Sequence, residues 1–208
     1  MANRCIGVID YGIGNISSVT HAFAYEDIPV RTCTRAAELD GCSHVVLPGV
    51  GAFGESIARL QDSGLADAIL AAIAAGRPLM GICLGMQLLL ERSSEFGEHR
   101  GLGVLPGTVE PLAAVIPGLK APNTGWAKVE LSPHSRLAGT GPAEHFYFNH
   151  GFACRPDPAL VTGRSVDGVP AVIERGNVFG VQFHPEKSHL AGLTLLGRFA
   201  DLDGGGRP

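Results

Sequence analysis

Basic charge is sparse in these 208 residues and nowhere clustered: 16 Lys and Arg stand against 20 Asp and Glu, for a formal net charge of −4. Nucleic acid is held through clustered cations that neutralise phosphates, so it is not an expected partner. No C-x-x-C pair occurs among Cys5, Cys33, Cys42, Cys83 and Cys154, and their number is odd. That pattern argues against a disulfide framework and for a reducing compartment, the cytoplasm. The best candidate for a long apolar helix, Leu65 to Ala75, is too short and Ala-rich to span a bilayer, and no apolar leader precedes Cys5; no membrane association is expected. Spacings such as H-x-x-x-H or H-x-x-E-H are missing, and no metal site is expected. The pair Gly12-x-Gly14 lacks the third glycine and the acidic partner of a dinucleotide site, so no cofactor is expected either.

What is present alternates between two periodicities. Cys5 to Ile9, Ile28 to Thr34, His44 to Leu47 and Pro78 to Ile82 read as strands, and Ile16 to Glu26, Ser56 to Leu60 and Leu65 to Ala75 as helices between them. Strand and helix in turn predict an α/β fold: an open, mostly parallel sheet with flanking helices. After Arg92 the texture changes to short strands over Gly107–Val115, Trp126–Leu131, His145–Phe152, Pro170–Glu174 and Val178–Phe183, which predict a small antiparallel sheet in addition. A helix over Ser188 to Leu202 closes the chain before a frayed Gly204–Pro208 tail. No repeat or linker divides the sequence, so one domain, 1–208, is expected.

The chemistry points to Gly81-Ile82-Cys83-Leu84-Gly85-Met86-Gln87. An apolar strand ends at Cys83 and a helix is predicted from Leu84 through Glu91 and Arg92. A side chain on so sharp a bend is strained and exposed, and Gly81 and Gly85, two residues either side, relieve the crowding. This is the geometry of a nucleophile elbow with sulfur for oxygen. Helix N–H groups beside the sulfur favour the thiolate. A buried core cysteine is the commoner fate of a free thiol, and the two glycines weigh against it.

A thiolate nucleophile needs a base and a group to orient that base. His184, in Val181-Gln182-Phe183-His184-Pro185-Glu186, follows an apolar strand, and Glu186 at i+2 faces the same side of an extended chain. Cys83, His184 and Glu186 thus fit the roles of nucleophile, base and orienter. The other seven histidines sit in strands, helices or loops where packing explains them. For a tetrahedral oxyanion, the Leu84 N–H is one donor, and the Gly-rich turn Pro48-Gly49-Val50-Gly51 at a strand end offers a second, at Val50 or Gly51.

Together, G-I-C-L-G-M-Q, the later F-H-P-E, Asp10-Tyr11-Gly12-Ile13-Gly14-Asn15 and the P-G-V-G-A-F turn resemble the class I glutamine amidotransferases over nearly the whole chain. The resemblance implies that Cys83 attacks the side-chain amide of glutamine, His184 protonates the departing ammonia, and water releases glutamate from a thioester. It implies further that Gly49, Gln87, Glu95, His150 and Gly151 hold glutamine. The implied partner is a barrel-shaped cyclase subunit, bound as a heterodimer, that receives the ammonia, with Asn15, Trp126 and Lys187 at the interface. The chain departs from the family pattern at Asn123-Thr124, where His-Met is usual, and at Asn149-His150-Gly151, where an aliphatic residue, His and Ser or Thr are usual. These departures leave two alternatives: a related glutaminase supplying ammonia for amidination of surface sugars, or a regulatory module without turnover.

Overall fold

The computed structural model describes residues 4–137 and 143–203; the expected 204–208 tail lies outside them. The first half of the chain is wound as its periodicity predicts. Strands β1 (Ile6–Ile9), β2 (Val30–Cys33), β3 (His44–Gly49) and β4 (Leu79–Cys83) alternate with helices α1 (Ile16–Tyr25), α2 (Phe53–Asp62) and α3 (Leu65–Ala74), and α4 (Leu84–Leu88) follows β4 directly. Every residue of β1, β3 and β4 is buried, as strands covered on both faces must be.

Beyond α4 come β5 (Leu90–Ser93), β6 (His99–Arg100), β7 (Leu105–Pro111), α5 (Leu112–Val115), β8 (Asn123–Leu131), β9 (Glu144–His150), β10 (Phe152–Pro156), β11 (Val161–Ser165), β12 (Pro170–Arg175), β13 (Val178–Val181) and α6 (His189–Ala200). The main sheet has nine strands in the order β2-β1-β3-β4-β13-β12-β11-β8-β9. Its first five are parallel, and from β13 outward each pair is antiparallel. A second sheet, β10-β7-β5-β6, is mixed, because β5 and β7 run parallel. Most of the late strands therefore extend the main sheet rather than forming one of their own.

Helices cover both faces. Phe53, Ile57 and Leu60 of α2 and Leu65, Ile69 and Ile73 of α3 pack in one core together with Leu88 and with Leu90, Leu105 and Val109 of the second sheet. Val19 and Phe23 of α1 and Leu195, Leu196 and Phe199 of α6 fill the other. Each large side chain removed from water in this way contributes on the order of 1.5–3 kcal/mol before entropic costs.

Four local expectations are corrected. The strand expected over Gly107–Val115 ends at Pro111, and Leu112–Val115 forms α5. The helix after Cys83 stops at Leu88 instead of continuing to Arg92. Leu88, Leu89 and Leu90 are all fully buried, which no single helix face achieves, and Leu90 pairs with Leu105 in the second sheet; tertiary pairing overrides helix propensity. The strand expected over His145–Phe152 is broken at Gly151, so that β9 joins the main sheet and β10 the second. Val161–Ser165, unassigned from the sequence, is a strand between β12 and β8.

Candidate active site

The turn from β4 into α4 places one cysteine at a strained position. Cys83 has φ 53° and ψ −109°, a conformation that costs a non-glycine residue of order 1–3 kcal/mol. The flanking glycines are required by close approach. A Cβ on Gly85 would lie 1.8 Å from the Leu47 carbonyl oxygen, and one on Gly81 would lie 2.6 Å from the Gly85 carbonyl oxygen. The helix can press against β3 and β4 only without those atoms. The same packing brings in Gly49, the β3 partner of Cys83, where a Cβ would meet the Gly85 nitrogen at 2.8 Å.

Contrary to expectation, the sulfur does not face bulk solvent. Cys83 is 6% exposed and lines a cavity of about 170 Å³. The run Asn149 to Phe152, where the chain crosses between sheets, supplies another wall. Cys83 Sγ lies 3.9 Å from the Asn149 carbonyl oxygen and accepts from Gln182 Nε2 at 3.8 Å.

His184 reaches the same cavity from the end of β13. Its backbone N–H donates to the Tyr147 carbonyl at 2.8 Å, and the Ser188 hydroxyl donates to the His184 carbonyl at 2.6 Å while accepting from the Tyr147 N–H at 3.0 Å. With the backbone pinned, imidazole Nδ1 donates to Glu186 Oε1 at 2.9 Å, leaving Nε2 for the cavity. Both side chains are buried, at 4% and 1% exposure. Residues Pro185–Lys187 form a tight 3-10 turn, so Glu186 is delivered by that turn and not by the extended backbone expected from the i, i+2 spacing. Glu186 Oε2 is buried with no hydrogen-bond partner among the described residues. Burial alone would pull the imidazole's basicity down. Interaction with the Cys83 sulfur and with the Glu186 carboxylate outweighs it and pushes the pKa up to about 9.

The structure sorts the remaining expected residues into those lining the cavity and those outside it. Val50, Gly51, Leu84, Gln87, Glu95, His150, Gly151 and Lys187 line it; Gly49, Glu186, Asn15 and Trp126 do not. Gln87 is buried and spends both amide hydrogens inside the protein, on the Phe152 carbonyl at 3.0 Å and on Gln182 Oε1 at 3.2 Å. Any bond it makes to a ligand falls to its Oε1. Glu95 Oε2 accepts from the Phe53 N–H at 2.7 Å, tying the cavity wall to the start of α2.

His150 has no ring nitrogen to spare for glutamine. Nδ1 donates to the Phe152 carbonyl at 2.8 Å and Nε2 accepts from Asn123 at 3.0 Å. Burial holds its pKa down to about 4, so it is neutral. Outside the cavity, Trp126 is 48% exposed and stacks on His189 with ring centroids 5.1 Å apart. Asn15 caps the start of α1 without a side-chain bond.

Three of the departures from the family pattern are bonded across the β8–β9 strand pair. Asn123 is the cross-strand partner of His150, and Thr124 that of Asn149. Asn123 donates to His150 as above, and Thr124 donates to Asn149 Oδ1 at 3.1 Å.

Two residues of this region escape notice in the sequence. Tyr11 is buried, and its hydroxyl donates to the Pro48 carbonyl at 3.2 Å, bracing the glycine-rich turn from behind. Burial pushes its pKa up to about 12, a shift that the Ser56 hydroxyl opposes and the Cys83 charge reinforces. Gln182 is the other. It is an even-numbered neighbour of His184 on a strand end, and that alternation was the available signal.

An elbow cysteine and a carboxylate-oriented histidine stand together at the carboxyl ends of the parallel strands, an arrangement chemically able to support thiol-dependent acyl transfer. The chain belongs to the class-I glutamine amidotransferase family, whose model matches residues 7–199. It is 44% identical over 200 residues to the imidazole glycerol phosphate synthase subunit HisH of Chlorobium luteolum, a match covering 93% of this chain and 98% of that one. The subunit of the same name from Helicobacter hepaticus is 38% identical over 218 residues, covering 97% and 100%. Among solved structures, a crystal structure of a glutamine amidotransferase superposes with TM-score 0.75 at 22% identity, over 95% of this chain and 99% of that chain. The structure of PurLQS from Thermotoga maritima gives 0.73 at 20% identity, over 95% and 97%. Among the described residues no helix is long and apolar enough to cross a membrane, and no three His, Cys, Asp or Glu side chains converge as metal ligands.

Proposed function

We propose that this chain is a single-domain glutaminase subunit of an imidazole glycerol phosphate synthase. In this reading it hydrolyses glutamine to glutamate and ammonia. The ammonia passes to a barrel-shaped cyclase subunit, bound as a heterodimer in the cytoplasm, which makes imidazole glycerol phosphate and aminoimidazole carboxamide ribotide. The observation that carries the reading is the meeting of Cys83 and His184 in one cavity, with His184 anchored to Glu186 at 2.9 Å.

The chemistry follows from that arrangement. The Cys83 thiol passes its proton to His184 Nε2, and the resulting thiolate attacks the glutamine carboxamide carbon. Negative charge moves to the carboxamide oxygen, where the Leu84 N–H and an N–H of the Val50–Gly51 turn are the donors. The tetrahedral intermediate collapses as His184 returns the proton to the departing nitrogen, releasing ammonia and leaving a γ-glutamyl thioester. Water, giving a proton to His184, attacks the thioester; the proton returns to sulfur and glutamate leaves. Glu186 keeps Nδ1 protonated throughout, so that Nε2 alone exchanges protons. Gln87 and Glu95 hold the amino-acid end of glutamine, Gly49 lets the turn approach the elbow, and Gly151 leaves room where the chain crosses the cavity. Asn15, Trp126 and Lys187 face the partner.

The sugar-amidinating alternative rests on Asn123, Thr124, Asn149 and Gly151. Cross-strand bonds occupy the first three, Asn123 donating to His150 and Thr124 to Asn149, and similarity to the HisH chains over nearly the full length favours the histidine-pathway partner. The test is to mix the chain with a histidine-pathway cyclase and its ribonucleotide substrate and to follow glutamate release. Stimulated release that Cys83→Ala abolishes is the expected result; no stimulation by that cyclase would overturn the assignment.

A further inference from the structure

Gln182 is wholly buried two residues before His184, and the mechanism above gives it no task. Strands β13 and β4 run parallel with Val181 beside Ile82, so the next step along the pair brings Gln182 beside Cys83. The Gln182 backbone N–H donates to the Ala171 carbonyl at 2.9 Å, which fixes where the side chain begins. Gln87 then fixes which way the carboxamide points. Its Nε2 donates to Gln182 Oε1 at 3.2 Å, so the oxygen is turned to Gln87 and the nitrogen of Gln182 to Cys83 Sγ, 3.8 Å away. A buried amide without partners is costly, and here the nucleophilic sulfur is the acceptor found for it.

We propose that Gln182 is a positioning residue of the amide-cleaving centre, its Nε2–H donating to the Cys83 sulfur and holding it in line as it gains negative charge. The inference rests on the reading of Cys83 as the nucleophile and extends that reading to a residue outside the three-membered set. A hydrogen bond to an ionised acceptor is roughly twice as strong as one to a neutral acceptor, so this donor favours the thiolate over the thiol. Gln87 acquires a second task from the same geometry: it orients the Gln182 carboxamide from a position beside the ligand cavity.

The test is the pH dependence of Cys83 alkylation by iodoacetamide in the full-length chain, followed by mass spectrometry of the Cys83 peptide. Gln182→Met removes the donor at nearly constant volume. We expect the pH of half-maximal labelling to rise by about one unit and the rate near neutral pH to fall about tenfold, with rates converging at high pH. Gln182→Glu keeps the acceptor for Gln87 but turns a carboxylate towards the sulfur, and moves the profile further in the same direction. A variant that melts like the parent and also labels like the parent overturns the proposal, because an amide that only fills space would leave the profile untouched. Should Gln182→Met not fold, Gln182→Glu carries the test. Should neither fold, Gln87→Met, which frees the carboxamide to turn, is expected to shift the profile the same way by less, and an unshifted profile there overturns the proposal. Labelling needs neither glutamine nor a partner, so failure here is distinct from failure of the glutaminase reading, which would show as activity surviving Cys83→Ala.

Discussion

His184 and Glu186 are joined by a 2.9 Å hydrogen bond from imidazole Nδ1 to carboxylate Oε1, made inside the protein by two side chains with almost no solvent contact. Only Pro185 separates them in the chain, yet the bond depends on a tight turn at Pro185–Lys187 and on a backbone held from β9 by Tyr147. The pairing fixes one tautomer and raises the imidazole's hold on a proton, and the functional predictions begin there.

Glu186→Gln keeps an acceptor for Nδ1 but removes the charge. Glutamine hydrolysis in the presence of the cyclase is expected to fall about 10²-fold in kcat, with a smaller change in KM, because the imidazolium formed during the reaction loses its counter-charge. Steady-state glutamate release measures both constants.

Stability should carry the mark of the same imidazole. Its pKa is about 9 in the fold against an ordinary value of 6.5, so the folded state binds more protons than the unfolded one between those limits. The contribution is fully present below about pH 6.5 and is lost as pH rises through about 9, an effect on the order of 1–3 kcal/mol. Denaturant unfolding from pH 6 to pH 10 is expected to show this decline in the parent and a smaller one in Glu186→Gln, where one source of the raised pKa is gone.

Val50 sits in the turn that would supply the second oxyanion donor, and it is not among the described non-glycine residues with positive φ. Turning that peptide over would force a β-branched residue into a left-handed conformation, at roughly 1–2 kcal/mol. Val50→Gly removes the barrier, and hydrolysis by the free subunit is expected to rise up to about tenfold while activity with the partner changes little. Glutamate release with and without the cyclase gives the comparison.

Gly85→Ala puts a methyl group where the Leu47 carbonyl stands, 1.8 Å from its oxygen. Neither backbone can yield without moving β3 or the elbow. Thermal melting is expected to fall sharply, in keeping with overpacking costs of about 1–3 kcal/mol or more, and glutamine hydrolysis should be lost with it.

How much could be read beforehand follows from how local each signal is. Cys83 between Gly81 and Gly85, and His184 followed by Glu186, lie within short windows whose chemistry and backbone demands coincide, and the parallel strands β1, β3 and β4 are short, mostly apolar runs. The triple Leu88-Leu89-Leu90 misleads because it suits a helix as well as a strand; Leu105, which decides the matter, is far along the chain. Gly151 divides one apparent strand between two sheets, which only the packing around it settles. Gln182 was legible in principle, since it shares the alternation of His184, but its partner Gln87 arrives from 95 residues away. His150 matched a glutamine-holding position, and the cross-strand Asn123 takes the nitrogen it would have used.

In the proposed mechanism the sulfur of Cys83 forms the bond to the glutamine carboxamide carbon. Rapid quenching of the chain with its cyclase and glutamine, followed by intact and peptide mass spectrometry, tests it most directly. A glutamyl adduct on the Cys83 peptide, strengthened in a variant slow to hydrolyse the thioester and absent in Cys83→Ala, is the predicted result. Glutamate release that proceeds with no adduct at Cys83 and survives Cys83→Ala would contradict it.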